Sequence, residues 1–256
     1  MRTKNPFLQL LASILAFVAA TSCQKQEILV KHIIFDPDDV EVFSGSYEKV
    51  SVSTYPRYAE NEQDLELIVG DKKVAAYDGS SVIGLSGGKT EILAICGDVT
   101  ATCKVRVYDW QIILEGFRYG VSKSEGRLNK KGGSLPMELQ IDLYHNTSET
   151  LREFTVWIPI NLLGQTIDIN SAVANVYAAG FFDISKDGFA VATTYTGTPK
   201  VYHADWSEAE DITVSKGSVL VEQKGTGNLF HVKADIMLSN GFRFGANWEG
   251  TLPVTL

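Results

Sequence analysis

From Ile28 to Tyr108 apolar and polar residues alternate in short runs separated by polar punctuation. ILVKHIIF, VEVF and KVSVSTYP come first, with Asp36-Pro37-Asp38-Asp39 between the first two; DLELIV, KKVAAYD, SSVIGL, TEILAIC and ATCKVRVYD follow. A period of two sends successive side chains to opposite faces of a strand, so these runs predict half-buried strands, with no foothold for helix. Strands of this length at this spacing predict a β-sandwich.

Residues 109–256 continue strand after strand. MELQIDLY sets Met137, Leu139, Ile141 and Leu143 on one face, REFTVWIP does the same with Phe154, Val156 and Ile158, and a hairpin across His145 to Leu151 would pair the two. VANVYAAGFFDI, the turn Ser185-Lys186-Asp187-Gly188 and FAVATTY predict a second hairpin. GSVLVEQ, Gly225-Thr226-Gly227, LFHVKADIML, Asn240-Gly241 and FRFGANWEG close the chain, and Asn-Gly between alternating strands is the strongest short-range hairpin signal. The expectation is an all-β chain: a small sandwich over 28–108, then a larger antiparallel sandwich or open barrel of eight or so strands over 109–256. No internal repeat or low-complexity run interrupts it.

The first residues follow a different rule. Arg2 and Lys4 precede an apolar stretch from Phe7 to Ala20, then small residues and a cysteine, which is the layout of an export signal. The stretch is shorter than the roughly 20 residues a membrane-spanning helix needs. Ala20-Thr21-Ser22-Cys23 resembles the lipobox of bacterial lipoproteins, although that pattern usually has leucine where Ala20 stands. The resemblance implies cleavage after residue 22, acylation of Cys23, a polar tether over 23–27 and an outer-membrane lipoprotein on the cell surface or the periplasmic face. Several acyl chains on one terminus hold a protein stably on a membrane. An ordinary secretory peptide cut near Ser22 is the other reading of the same small residues.

Over about 80 residues the first half resembles the bacterial Ig-like domain of group 2. The opening IIFDPDDVEVFSG, the stretch VSTYPRYAEN, the block KKVAAYDGSSVIGLSGGKTEILAICGD and the closing TATCKVRV carry the likeness; DLELIV stands where the family usually has a tryptophan phrase. The family implies a spacer or adhesive module with no catalytic residues, in which Ile92, Ala94, Cys96, Ala101, Cys103, Val105 and Val107 face the core. The last part of the chain is similar to uncharacterised all-β domains of other exported lipoproteins, which implies no activity.

Charge and cysteines narrow the function. The formal net charge is −8, and removing Arg2 and Lys4 with the signal makes the mature chain more acidic, so phosphate-backbone binding and nucleic-acid partners are disfavoured. Export permits a disulfide between Cys96 and Cys103. With a two-residue turn at Gly97-Asp98, however, Cys96 faces Val99 and Cys103 faces Ile92; only a turn shifted to Val99-Thr100 sets cysteine opposite cysteine.

Enzyme motifs are weak here. Gly84-Leu85-Ser86-Gly87-Gly88 matches the hydrolase pattern GxSxG, but a strand follows where a helix is required, and Gly88-Lys89-Thr90 lacks the earlier glycine of a phosphate loop. His32, His145, His203 and His231 are scattered, DPDD reads as a solvated turn, and no metal or cofactor is expected. Asp183, Asp235 and Glu249 are the candidate glycosidase carboxylates, on separate predicted strands. Aromatics are the stronger lead. If Phe154, Val156 and Ile158 point inward, Trp157 points outward, as does Tyr144 on the partner strand, and TYTGTPKVYHADW adds Tyr195, Tyr202 and Trp206 in a turn-rich segment. Exposed rings of this kind suit stacking against sugars or a protein partner, against the plain alternative that loops cover them. The sequence reading is a non-enzymatic lipoprotein tethered through Cys23, with an Ig-like spacer or adhesion module presenting a β-domain to a glycan or protein. Its alternative is a structural subunit of a surface appendage, comparable to fimbrial lipoproteins, completed by a neighbour's strand.

Overall fold

The computed structural model describes residues 27–130, 137–146, 151–169, 176–183, 187–192 and 199–254. It is all-β, in two sandwiches with separate hydrophobic cores. Cys23 and Tyr195 lie outside the described residues. Among the described residues no helix is long and apolar enough to cross a membrane.

The first half contains β1 (His32–Asp36), β2 (Asp39–Phe43), β3 (Tyr47–Lys49), β4 (Ser51–Tyr55) and β5 (Glu66–Val69). β6 (Ala75–Tyr77), β7 (Ser81–Gly84), β8 (Gly88–Cys96) and β9 (Val99–Tyr108) complete it. A sheet of order β2-β9-β8-β5 is joined in this half by the two-stranded β1-β4 and the three-stranded β3-β7-β6. Alternation builds the core as expected: Ile92, Ala94, Cys96, Cys103, Val105 and Val107 are buried, with Ala101 packed against them. The β8–β9 turn is at Gly97-Asp98, where Gly97 has φ 58, a value costly for residues with a Cβ. Cys96 therefore faces Val99 and Cys103 faces Ile92, and both thiols are free. Four residues of strand separate their registers, roughly 13 Å, too far for a disulfide. Two features were not foreseen: β2 runs parallel to β9, and KVSVSTYP is split at Val50 into β3 and β4.

The second half contains β10 (Gln111–Leu114), β11 (Phe117–Gly120), β12 (Lys123–Asn129), β13 (Glu138–Asn146), β14 (Leu151–Pro159) and β15 (Thr166–Asp168). It continues through β16 (Tyr177–Asp183), β17 (Asp187–Ala192), β18 (Lys200–His203), β19 (Val214–Gln223), β20 (Leu229–Leu238) and β21 (Arg243–Thr251). These form two six-stranded antiparallel sheets, β11-β10-β21-β20-β19-β15 and β12-β13-β14-β16-β17-β18, packed face to face. The architecture is a sandwich, larger than the eight or so strands expected, because three- and four-residue strands such as β10, β11, β15 and β18 leave almost no periodic signal. The β13–β14 hairpin has the expected register: Leu139 pairs with Ile158 and Ile141 with Val156, all fully buried, and Phe154 meets Phe244 of the opposite sheet at 6.5 Å between ring centroids.

Only Asp109 and Trp110 separate β9 from β10, and the two halves are clasped there. Buried His145 of β13 lies 5.9 Å from the Tyr108 ring and 5.5 Å from that of Tyr119, and its Nδ1–H donates to Gly120 O at 2.8 Å. Its Nε2 faces Glu41 of β2 at 3.8 Å, and Glu41 also receives the Tyr108 hydroxyl and Arg106. Gly120 is required: a Cβ there would sit 2.0 Å from Tyr108 Cγ.

Candidate functional site

The site is built on the outer face of the sheet that begins with β12. The residues of MELQIDLY and REFTVWIP that point away from the core are Glu138, Gln140, Asp142 and Tyr144, and Glu153, Thr155 and Trp157. Antiparallel register arranges them in rows. Arg127, Gln140, Trp157 and Tyr177 form one row across β12, β13, β14 and β16; Glu125, Asp142, Thr155 and Ala179 form the next; Lys123, Tyr144, Glu153 and Phe181 form a third.

At one end of this face the rings gather. Trp157 meets Tyr177 edge to face at 6.2 Å and Trp206 edge to face at 6.4 Å, and Tyr202 lies tilted against Trp206 at 6.2 Å. Trp157 and Tyr202 rest on Ala179 and Phe181, an apolar patch distinct from the inter-sheet core. Trp157, Tyr177 and Trp206, with Asn129 and the buried carboxyl side chain of Glu138, line an open cavity of about 380 Å³. Aromatic rings lining a cavity supply the kind of apolar surface on which a sugar face stacks.

Trp206 reaches this place by an unusual backbone. Its φ is 65, in the left-handed region that a bulky residue rarely adopts. The tight turn around it is fixed by Trp206 N–H to His203 O at 2.9 Å, by His203 N–H to Ser207 O at 2.9 Å, and by the Asp205 carboxylate accepting from Ser207 N–H. Lys200 pairs with Glu208 across its base. The result is a tryptophan 51% exposed, held over the neighbouring strands.

Beside the rings runs a polar strip. Asp142 is fully buried, and its carboxylate accepts from Arg127 Nη2 at 3.0 Å, from Gln140 Nε2 at 2.9 Å and from Thr155 Oγ1 at 2.9 Å. Thr155 Oγ1 also lies 2.7 Å from Glu153 Oε1. A hydroxyl has one proton and cannot donate to both acids. The conflict is resolved with Glu153 as the neutral acid donating to Thr155 while Thr155 donates to Asp142, or with Thr155 donating to Glu153 while Arg127 and Gln140 serve Asp142. Burial raises the Glu153 pKa above the usual glutamate range, and the Asp142 charge adds to it. Tyr144, which hydrogen-bonds Glu153, has its phenol raised well above ten by burial and then by the Glu153 and Asp142 charges. Glu125 is lowered by its hydrogen bond from Lys123.

Of the residues singled out by sequence, Trp157, Tyr202 and Trp206 are brought together. Tyr144 shares the outward face but stands at the polar end, 5.5 Å from the Lys123 ammonium, outside the ring cluster. Tyr177, Asn129, Glu138 and the Arg127–Asp142–Thr155–Glu153 network were missed. For Glu138, Asp142, Glu153 and Thr155 the signal was in the sequence, as polar residues alternating with the core of β13 and β14, but such residues ordinarily form a wet surface; Arg127 and Asn129 on β12 and Tyr177 on β16 join them only through the register of neighbouring strands. The other carboxylates do not converge: Asp235 pairs with Arg243 and Glu249 sits opposite His231, on the sheet opposite the strand that carries Asp183. Ser86 donates its hydroxyl to Lys73 O at 3.0 Å, ahead of a strand. Among the described residues no group of three His, Cys, Asp or Glu is placed to hold a metal. A larger cavity of about 730 Å³ lies at the junction of the two halves; in its lining Arg106 pairs with Glu41, and Asp109 accepts from Gly87 N–H and the Ser44 hydroxyl.

No protein-family model matches the chain, and no curated protein does. Among solved structures, domains 5–6 of the S-layer protein SbsC align with 89% of this chain and 99% of that one, at 12% identity and a TM-score of 0.28. A likeness of that size supports no conclusion about fold or function.

Proposed function

We propose that this chain is a membrane-anchored, non-enzymatic binding lipoprotein whose second sandwich recognises a glycan on the outer face of the β12–β18 sheet. The observation that carries this reading is the cavity lined by Trp157, Tyr177 and Trp206 together with buried Glu138 and half-buried Asn129. Rings supply stacking surface, and the acid and amide supply fixed partners for hydroxyl groups. In this reading the signal and Cys23 place the protein on the outer membrane, facing the cell surface or the periplasm, and the first sandwich serves as an Ig-like spacer that holds the binding face away from the lipid.

A glycan-array screen of the soluble chain 24–256, with Trp157→Ala and Trp206→Ala alongside, tests it. Removing a central stacking tryptophan costs about 2 kcal/mol or more, which is roughly 30-fold in affinity. Binding to a glycan that both variants lose supports the reading. Binding that both variants retain, or no binding to any glycan, sinks it; concentration-dependent polymers of the soluble chain would then favour the structural-subunit alternative.

A further inference from the structure

The described chain begins beside an apolar patch. Ile28 and Leu29 are 42% and 47% exposed just before β1, and Ile34, on the outer face of β1, is 53% exposed. The chain pairing brings two tyrosines to the same place. His32 is registered opposite Tyr55 with their rings 6.4 Å apart, Lys31 N–H donates to Tyr55 O at 2.8 Å, and Glu60 N–H donates to Ile28 O at 2.8 Å, which draws the segment carrying Tyr58 alongside. Tyr55 and Tyr58 are the most open of the group, at 60% and 75%. Lys31 and Arg57 are exposed among them, as are Glu27 and Glu60, so the patch has no excess of either charge.

We infer that this patch rests on the lipid bilayer that holds the acylated Cys23. The inference depends on the anchoring part of the proposed function. Four residue steps join Cys23 to Glu27, at most roughly 14 Å of extended chain, so an acylated Cys23 keeps Ile28 and its neighbours within reach of the headgroups. Tyrosines with apolar neighbours suit that boundary, where a ring lies against acyl chains and its hydroxyl stays wet. Isoleucine and leucine extend the buried area, and the long stems of Lys31 and Arg57 let their charges reach the headgroup layer. The contact fixes the tilt of the first sandwich on the membrane instead of leaving it on a free tether.

The test uses the full chain made in a bacterial host and reconstituted in phosphatidylethanolamine and phosphatidylglycerol vesicles. Mass spectrometry first reports whether Cys23 is the acylated first residue. Spin labels on Ile34→Cys, Tyr58→Cys and, as a distant control, Leu229→Cys are then compared for collisions with oxygen and with a water-soluble nickel chelate; native Cys96 and Cys103 are buried and stay unlabelled. The expected result is a gain in oxygen collisions and a loss of nickel collisions at positions 34 and 58 on adding vesicles, with no change at 229. An acylated chain whose labels at 34 and 58 behave like that at 229 overturns the membrane contact and leaves the anchor standing. An unacylated Cys23 overturns anchor and contact together. The glycan site is untouched by either outcome, since its own assay uses the soluble chain.

Discussion

The left-handed backbone at Trp206 makes a sharp prediction about two substitutions that both remove the ring. An L-residue held in this region costs about 1–2 kcal/mol, a strain that alanine keeps and glycine sheds. Glycine gives back about 0.5–1 kcal/mol through the extra freedom of the unfolded chain. Trp206→Gly is therefore expected to be more stable than Trp206→Ala by about 0.5–1 kcal/mol, the reverse of the usual order. Relative to the parent both lose burial: the ring is 51% exposed, so it hides about 100 Å², worth about 2.5 kcal/mol at most. Urea unfolding followed by circular dichroism gives the stabilities, and in a thermal scan the pair should differ by about 1–4 °C. Leu229→Gly and Leu229→Ala, in the ordinary strand β20, supply the control in which alanine wins. Trp206→Ala equal to or more stable than Trp206→Gly would refute the argument that the turn stores strain to present the ring.

Four further outcomes are expected. Gly120→Ala should lower stability by about 1–3 kcal/mol, seen as an earlier urea midpoint, because its Cβ would fall 2.0 Å from the Tyr108 ring. Since the folded pKa of Glu153 is raised, the native state holds a proton that the unfolded chain gives up in the ordinary glutamate range; its stabilisation is full below that range and is lost as pH rises through the folded value. Glu153→Gln, which keeps a donor for Thr155, should flatten that decline in urea midpoints measured across pH; an unchanged slope counts against the neutral acid. Asp142→Ala should cost about 2 kcal/mol by chemical denaturation, because Gln140 and Thr155 lose a buried acceptor while half-exposed Arg127 recovers water. Cys96 and Cys103 should resist alkylation in the native protein and both react after unfolding without reductant, since burial pushes the Cys103 thiol up to about 11 and raises that of Cys96; a disulfide in the mass spectrum would contradict the register.

How far the sequence carried depended on whether one strand or several decide a feature. The facing of Trp157 and Tyr144 away from Phe154 and Ile158 was legible because period-two alternation is a property of a single strand, and the Gly97-Asp98 turn was legible because two residues determine it. The meeting of Trp157 with Trp206 was not, because it depends on β16, β17 and β18 lying between them and on a left-handed turn that no residue type announces. Asp142 shows the same limit from the polar side. Its alternation with Ile141 and Leu143 marks a wet face, yet Arg127, Gln140 and Thr155 close over it and make it one of the most buried acids in the chain. The parallel pairing of β2 with β9 escaped for a third reason: strand direction leaves no trace in a hydrophobic pattern.

The placement of β21 governs when the second sandwich comes into being. This strand lies between β10 and β20, and Gln111, at the start of the half, pairs with Asn247, close to its end. Every partial chain that stops short of Arg243 leaves β10 without its central neighbour and β20 with an open edge, and contacts between such remote positions slow folding because a long loop must close before they form. The first sandwich has the same dependence over a shorter span, since β2 pairs with β9, Asp39 opposite Lys104. The order of assembly is thus written into the sheet, and the core on which the tryptophan-bearing sheet rests closes only once β21 is in place.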